Sequence, residues 1–492
     1  MLRSLFYTMH LLKSFFTKIS VIQILSLTFI VFRISFAQDT DFFPPNQWIA
    51  APNLFFPRTA HTATLLEDGR VLILGYNNDQ AEIYDPVSNT FSLAGNTIYS
   101  HQQGFTATSL NDGKVLIVGG IFAQQQAELF NPQTNTFEAT GNLNHVHSFH
   151  TATLLPDGRV LIAGGQDQQI IQTHSVCEIY DPSTGTFTLT DTLKDHRSSH
   201  ESILLPNGKI LISGGIQTTS PGFGITLNSC ELYNPINGTF SYTQNLLQPR
   251  EGHEITLLKN EKVLVTGGAY YESAGEIFDP QTETWTLTGQ MTVQRRRYHT
   301  ATRIYNGKVL LAGGNISYIT AKAELYDPST NSFSIIDSMI TARQQHTATL
   351  LHDGSVFVTG GYTTSGVTNH TERYMIDTSA VSVREMNGTN LNFINHFELF
   401  QNYPNPFNSS TKISWQSPVG SYQTIKLFDV LGREIETIVE GFYEAGNHST
   451  LYIPTSTLPS GVYFYQLLIS ALQSKNGSAG SFVQTKKMIL LR

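Results

Sequence analysis

Cysteine is nearly absent from this sequence, since only Cys177 and Cys230 occur in 492 residues. Charged residues are also scarce at 14%, and the longest basic run is the three arginines at 295–297. Proteins that bind nucleic acid usually carry a concentrated basic patch, whereas the net charge of this chain is -8. These features argue against nucleic acid as a partner.

The motifs of common catalytic chemistry are missing as well. The sequence contains no nucleophile elbow, phosphate-binding loop, zinc signature or dinucleotide fingerprint. Paired catalytic carboxylates would need a geometry that the sequence does not give. We therefore predict no catalytic residue, no metal ligand and no cofactor, and we expect a binding protein rather than an enzyme.

Long apolar runs are absent except near the N-terminus. Lys13 and Lys18 precede an apolar stretch at 19–32, and no acidic residue occurs before Asp39. This stretch is shorter than the about 20 residues that a membrane-spanning helix needs. We predict a secretory signal peptide at 1–37, cleaved after Ala37, and no transmembrane segment in the mature chain.

A repeated pattern fills the region from about 47 to 378. Each copy has a Thr-Ala-Thr-Leu type run (strand a), a tight turn such as Pro156-Asp157-Gly158, and a Val-Leu-Ile run (strand b) that usually ends in a Gly-Gly pair. A Glu-containing strand c and an aromatic strand d follow. Four short strands at this period are typical of a propeller blade. The first glycine of the seven copies is Gly75, Gly119, Gly164, Gly214, Gly267, Gly313 and Gly360.

These residues resemble the kelch repeat and the propeller of galactose oxidase. The resemblance implies a ring of radially packed antiparallel sheets. We therefore predict an all-β protein with a seven-bladed β-propeller at 38–382. A linker at 383–396 and a small C-terminal β-sandwich domain at 397–492 complete the chain.

The last copy lacks its own strand d. Trp48 precedes His61 by the same number of residues that separates Phe137, a strand d aromatic, from His150 of the following copy. We predict that the N-terminal segment of the mature chain supplies strand d to the last blade, with Trp48 in its core.

Galactose oxidase also has a copper centre built from Tyr and His, with a Cys crosslinked to one Tyr. Here Cys177 and Cys230 stand directly before a strand c Glu, where other copies have Ala, Gly or Thr. A position that accepts only small residues is a packing position, and free Cys behaves as a small apolar residue. We expect two unbridged thiols and no copper site.

A histidine and an arginine also recur at fixed positions of the repeat, and we call the two sets the histidine column and the arginine column. The histidines lie on different blades and cannot converge on one metal ion, so we predict a structural role for them. For the arginines, two alternatives stay open: hydrogen bonds between blades, or an anion-binding channel mouth. The histidine column is His61, His150, His200, His253, His299 and His346, and the arginine column is Arg58, Arg197, Arg250, Arg296 and Arg343.

The C-terminal segment has a different pattern. It begins with Phe397-Glu-Leu-Phe-Gln-Asn-Tyr-Pro-Asn-Pro-Phe-Asn408, and it ends with Thr485-Lys-Lys-Met-Ile-Leu-Leu-Arg492. These blocks, with Leu458-Pro-Ser-Gly-Val-Tyr-Phe-Tyr465, resemble the C-terminal sorting domain of the type IX secretion system of Bacteroidota. The resemblance implies that residues 397–492 engage the type IX machinery, which would place the protein outside the cell or on its surface. A fibronectin-like binding module is the alternative.

The loops between strands b and c vary most in length, whereas the a–b and c–d turns are nearly constant. Variable loops are where binding residues tend to lie. We therefore expect a scaffold that binds a glycan or protein ligand on one propeller face, and a glycan-active lyase or hydrolase is the alternative. The candidate ligand-binding residues are Tyr76, Phe122, Phe223, Tyr270, Tyr271, Tyr318 and Tyr362.

Overall fold

The structure is a computed structural model that describes two stretches of the chain, 46–376 and 397–491. Within them, strands are the only regular secondary structure, and no helix is long and apolar enough to cross a membrane. The predicted signal peptide at 1–37 and linker at 383–396 lie outside the described residues. Short gaps fall at 77, 124, 168–170, 221–222, 269–272, 294–295, 316, 403–404, 409, 418–420, 444–445, 456–457 and 474–478.

Seven four-stranded antiparallel sheets occupy the described residues from 47 to 375, and we number them along the chain. Strands a to d of sheet 1 are Thr62–Leu65, Val71–Leu74, Gln80–Asp85 and Thr90–Asn96. Those of sheet 2 are Phe105–Ser109, Val115–Gly119, Ala127–Asn131 and Thr136–Ala139. Those of sheet 3 are Thr151–Leu154, Val160–Ala163, Cys177–Asp181 and Thr186–Leu189. In sheets 4 and 5 they are Glu201–Leu204, Ile210–Ser213, Cys230–Asn234 and Thr239–Tyr242; Glu254–Leu257, Val263–Thr266, Ala274–Asp279 and Thr284–Gln290. In sheets 6 and 7 they are Thr300–Arg303, Val309–Ala312, Ala323–Asp327 and Ser332–Ile336; Thr347–Leu350, Val356–Thr359, Thr371–Met375 and Gln47–Ala51.

The seven sheets follow one another around a ring. Strand a of each sheet packs against strand a of the next, and strand a of sheet 7 packs against strand a of sheet 1. Strand b is buried along its whole length in every sheet, because its Val-Leu-Ile type run has apolar neighbours on both faces. The arrangement is typical of a β-propeller.

Sheet 7 is built from both ends of the repeat region. Gln47–Ala51 pairs antiparallel with Thr371–Met375, and Trp48 lies opposite Tyr374. Their rings are 5.1 Å apart, and sheets 1 to 6 have the same pair of strand c and strand d aromatics at 4.7–5.1 Å. Trp48 is thus the strand d aromatic of sheet 7.

The Gly-Gly pair lies where one sheet meets the next. Gly360 has a φ of +56°, and a Cβ there would lie 2.5 Å from the carbonyl oxygen of Arg58. The amide of Gly361 donates to that same oxygen at 2.7 Å. Any other residue at 360 would push apart the two sheets that close the ring. Sheet 1 departs from the pattern, since Tyr76 takes the second position with a φ of 66°.

Residues 397–491 form a separate pair of sheets around one core. Trp415, Tyr465 and Leu467 are buried in this core, and Nε1 of Trp415 donates to Gln423. The three-stranded sheet has Glu398–Leu399, Thr411–Ser417 and Gly446–Tyr452, and the four-stranded sheet has Glu434–Tyr443, Ser421–Phe428, Gly461–Gln473 and Ala479–Leu490.

Candidate functional site

Every sheet contains one buried pair formed by a strand c glutamate and an arginine or histidine from the loop that enters strand a. The paired atoms lie 2.7–3.6 Å apart, and all of these side chains are at most 1% exposed. In two sheets the partner of the glutamate is a histidine, at a position that the arginine column omits. The pairs are Arg58–Glu82, His101–Glu128, His147–Glu178, Arg197–Glu231, Arg250–Glu276, Arg296–Glu324 and Arg343–Glu372.

The buried arginines hold their own sheet together. Arg250 donates to Glu276, to the Gly267 carbonyl and to the Ala274 carbonyl at 2.6–2.9 Å. Its backbone carbonyl accepts from Gly215 of sheet 4 at 2.8 Å, so the link between sheets is made by the main chain. The anion-binding alternative is wrong for these arginines, because a fully buried guanidinium cannot meet a ligand. Burial lowers the pKa of Arg296 to about 10.

Replacing Arg250 by methionine is expected to cost about 3 to 5 kcal/mol of unfolding free energy, because it leaves Glu276 buried without its partner. Urea denaturation at neutral pH measures this cost. Arg159→Met is the control, since its ion pair with Asp157 is exposed and such pairs contribute at most about 1 kcal/mol. Equal costs for the two variants would contradict the role of the buried pair.

The histidine column joins neighbouring sheets. Nε2 of each histidine lies 2.8–3.2 Å from a Thr or Ser hydroxyl of the preceding sheet. Burial lowers the pKa of His61 and His253 to about 3, so both are neutral. Among the described residues, no group of three or more His, Cys, Asp and Glu is placed to hold a metal ion.

The candidate ligand-binding residues lie in the loops between strands b and c. Phe122, Phe223, Tyr318 and Tyr362 are 43–76% exposed, whereas Tyr76 is half-buried. They belong to sheets 1, 2, 4, 6 and 7, so the fold spreads them over one face and does not gather them into a pocket. Tyr270 and Tyr271 lie outside the described residues. We call this side of the ring, with its b–c and d–a loops, the loop face.

Sequence reasoning missed a second set of exposed apolar residues on the loop face. Each stands three positions before the buried arginine or histidine of its sheet and is 45–59% exposed. Its backbone amide donates to the buried glutamate at 2.6–2.8 Å. Their constant position in the sequence, three residues before the buried arginine or histidine, is the signal that could have identified them. The set is Phe55, Ile98, Leu247 and Ile340.

Sheets 3 and 4 extend the loop face with two short hairpins. Gln166–Asp167 pairs with Gln172–Thr173, and Ile216–Ser220 pairs with Phe223–Thr226. The hairpins are joined because the Thr218 amide donates to the Thr173 hydroxyl at 3.0 Å. Phe223 and Ile225 therefore lie on the outer strand of the second hairpin, which the first hairpin supports.

The opposite side of the ring contacts the C-terminal pair of sheets. Tyr305, in the a–b turn of sheet 6, stacks on Phe442 with ring centroids 4.1 Å apart. His352, in the a–b turn of sheet 7, lies 5.1 Å from Tyr422. These contacts are on the turn side, away from the loop face.

Comparisons with known proteins identify the C-terminal part and support the fold. Residues 401–476 match the secretion system C-terminal sorting domain. A solved fungal alcohol oxidase of the AA5 family, in complex with copper, is 14% identical with a TM-score of 0.59, and the match covers 90% of this chain and 100% of that chain. At this identity the likeness concerns the fold alone. No curated protein matches the chain.

The cysteines do not fit a copper centre. Cys177 and Cys230 are free, and each is buried in an apolar cluster between sheets. Burial raises the pKa of both thiols to about 12. Both side chains therefore pack as small apolar residues between sheets.

Proposed function

We propose that this protein is an exported binding scaffold: a closed, seven-bladed kelch-type propeller that binds a protein or glycan ligand on its loop face. A signal peptide at 1–37 would carry it across the inner membrane. The C-terminal β-sandwich would then direct it across the outer membrane through the type IX machinery. The match of residues 401–476 to a sorting domain carries the export part of this proposal.

The loop face supports the binding part. Phe55, Ile98 and Ile340 expose their side chains, while their backbone amides are already bound to buried glutamates. A ligand would therefore meet apolar surface at these positions. Exposed apolar groups gathered on one side of a protein mark interaction sites. Aliphatic side chains such as Ile98 and Ile340 favour a protein ligand over a glycan, because sugars stack on aromatic rings.

The test is a screen of the purified mature chain against extracellular proteins and a glycan array. For a ligand found in this way, Phe223→Ser with Ile225→Ser is expected to weaken binding about tenfold or more, as loss of an interface anchor does. Leu189→Ser is the control, because Leu189 is 58% exposed on strand d of sheet 3. Equal effects of the two changes, or turnover of a glycan, would contradict a binding role for the loop face.

A further inference from the structure

The inner wall of the ring, formed by the seven strands a, changes character in two neighbouring sheets. The residue after the column histidine is threonine in sheets 1, 3, 6 and 7, and sheet 2 has threonine at the same position after Phe105. Sheets 4 and 5 have Glu201 and Glu254 there, on strands a that pack against each other. Two carboxyl groups therefore replace hydroxyl groups on one part of the inner wall.

Threonine at this position has a structural task. Thr151 of sheet 3 lies 3.1 Å from Nε2 of His200 in sheet 4, and Thr300 of sheet 6 lies 3.2 Å from Nε2 of His346 in sheet 7. The hydroxyl thus links one sheet to the histidine of the next.

Sheets 4 and 5 make this link with strand b instead. Ser213 binds Nε2 of His253 at 3.2 Å, and Thr266 binds Nε2 of His299 at 2.9 Å. Glu201 and Glu254 are consequently not needed to hold the histidines. Within the described residues, neither carboxyl group has a hydrogen-bond or ion-pair partner, and both side chains are half-buried.

Among the described residues of the packed elements, the cations are engaged elsewhere or placed apart from these carboxyl groups: Arg297 pairs with Glu251, and Arg303 lies at the far end of strand a of sheet 6, whereas Glu254 begins its own strand. His200, His253 and His299 are neutral because burial lowers their pKa values far below the usual range. The arginines of the same sheets, Arg197, Arg250 and Arg296, face strand c glutamates. Burial raises the pKa of Glu201 to about 8, and burial together with Glu201 raises the pKa of Glu254 well above its usual value.

We propose that Glu201 and Glu254 make the contact between sheets 4 and 5 depend on protonation. The contact is stable while the pair is protonated and is weakened when both carboxyl groups ionise. Ionisation would place two negative charges on the adjacent strands a of sheets 4 and 5. Like charges on adjacent strands repel, and their partial burial adds a desolvation cost.

The sign of the pH dependence follows from linkage. An unfolded glutamate titrates near pH 4.3, whereas the folded pair keeps its protons to higher pH. The folded state therefore binds more protons between about pH 4.5 and 8, and its stability falls as the pH rises through that window. This loss of stability is absent below about pH 4, where both carboxyl groups are protonated in the folded and in the unfolded chain.

The test is the melting temperature of the full mature chain between pH 5 and 9, for the natural sequence, Glu201→Gln, Glu254→Gln and the double variant. The double variant is expected to melt roughly 3 to 6 °C higher than the natural protein at pH 8.5 and at nearly the same temperature at pH 5. Glu261→Gln, in the exposed a–b turn of sheet 5, is the control and should leave the pH profile unchanged.

Glu201→Thr, which installs the residue of the other sheets, provides a second route to the same result. Amide exchange in strands a of sheets 4 and 5 should also rise at pH 8.5 in the natural protein more than in the double variant, after correction for the intrinsic pH effect. Parallel melting profiles for all variants, or a lower melting temperature of the Gln and Thr variants at every pH, would overturn the proposal.

Discussion

A chain truncated before residue 397 is expected to accumulate in the periplasm as a folded propeller and to disappear from the cell surface and the medium. Residues 401–476 match a secretion sorting domain, and the strand pairing that closes the ring uses Gln47–Ala51 and Thr371–Met375, without any residue beyond 375. Loss of the segment should therefore remove the export signal and leave the sheets intact. Cell fractionation with immunoblotting measures the distribution, and thermal melting of the periplasmic material checks its fold.

Two controls separate export from folding. Residues 377–492 attached to an unrelated protein with its own signal peptide should send that protein out of the cell. Double replacement of Tyr305 and Phe442 by alanine, which removes the aromatic stack between the ring and the C-terminal sheets, should leave export unchanged. Normal extracellular amounts of the truncated chain would refute the sorting role.

Trp48→Ala is expected to lower the unfolding free energy by about 3 to 5 kcal/mol, the usual cost of truncating a buried tryptophan. Trp48 is 8% exposed, packs against Tyr374 and donates from Nε1 to the Asp337 carbonyl of sheet 6 at 2.8 Å. Its loss opens a cavity at the point where the two chain ends meet. Denaturation of the full mature chain in urea gives the cost.

Trp48→Phe and Trp285→Ala are the matched variants. Phenylalanine stands at the equivalent position of sheets 1, 2, 3, 4 and 6, so Trp48→Phe should cost much less than Trp48→Ala. Trp285 is the equivalent residue of sheet 5, and it also packs on a strand c aromatic. Trp285→Ala should be as costly as Trp48→Ala but should leave the N-terminal strand resistant to protease. An unchanged urea midpoint for Trp48→Ala would refute closure by the N-terminal strand.

The strand pattern was predictable because it depends on short-range spacing. The interval from the column histidine to the first glycine is constant, since a tight a–b hairpin fixes it, and the prediction for Trp48 rests on the same kind of interval. The arginine column shows where this reasoning ends. Arg250 and Glu276 are far apart in sequence, and the burial that makes them a closed pair results from packing of the whole sheet. Spacing alone therefore left the anion-binding alternative open.

The candidate site was predictable only in outline. Loop length indicated the loop face for Phe122, Phe223 and Tyr362, and the structure exposes their side chains. It did not indicate Phe55 or Ile340, because these loops vary little and their apolar residues look like core residues in the sequence. Their exposure results from the buried glutamates, which hold the loop by its backbone and turn the side chains outward.

Closure of sheet 7 by the N-terminal strand also determines the order of folding events. The hydroxyl of Thr371 donates to the carbonyl of Pro52, 319 positions away in the sequence, at 2.6 Å. Contacts of such long range form late, because the chain between them must first be organised. Sheets 1 to 6 can each form from a continuous stretch of chain, but the seventh cannot form before residue 375 has been synthesised. A ring that lacks the N-terminal strand would leave the edge of Thr371–Met375 unpaired, and such an edge is where a chaperone would act.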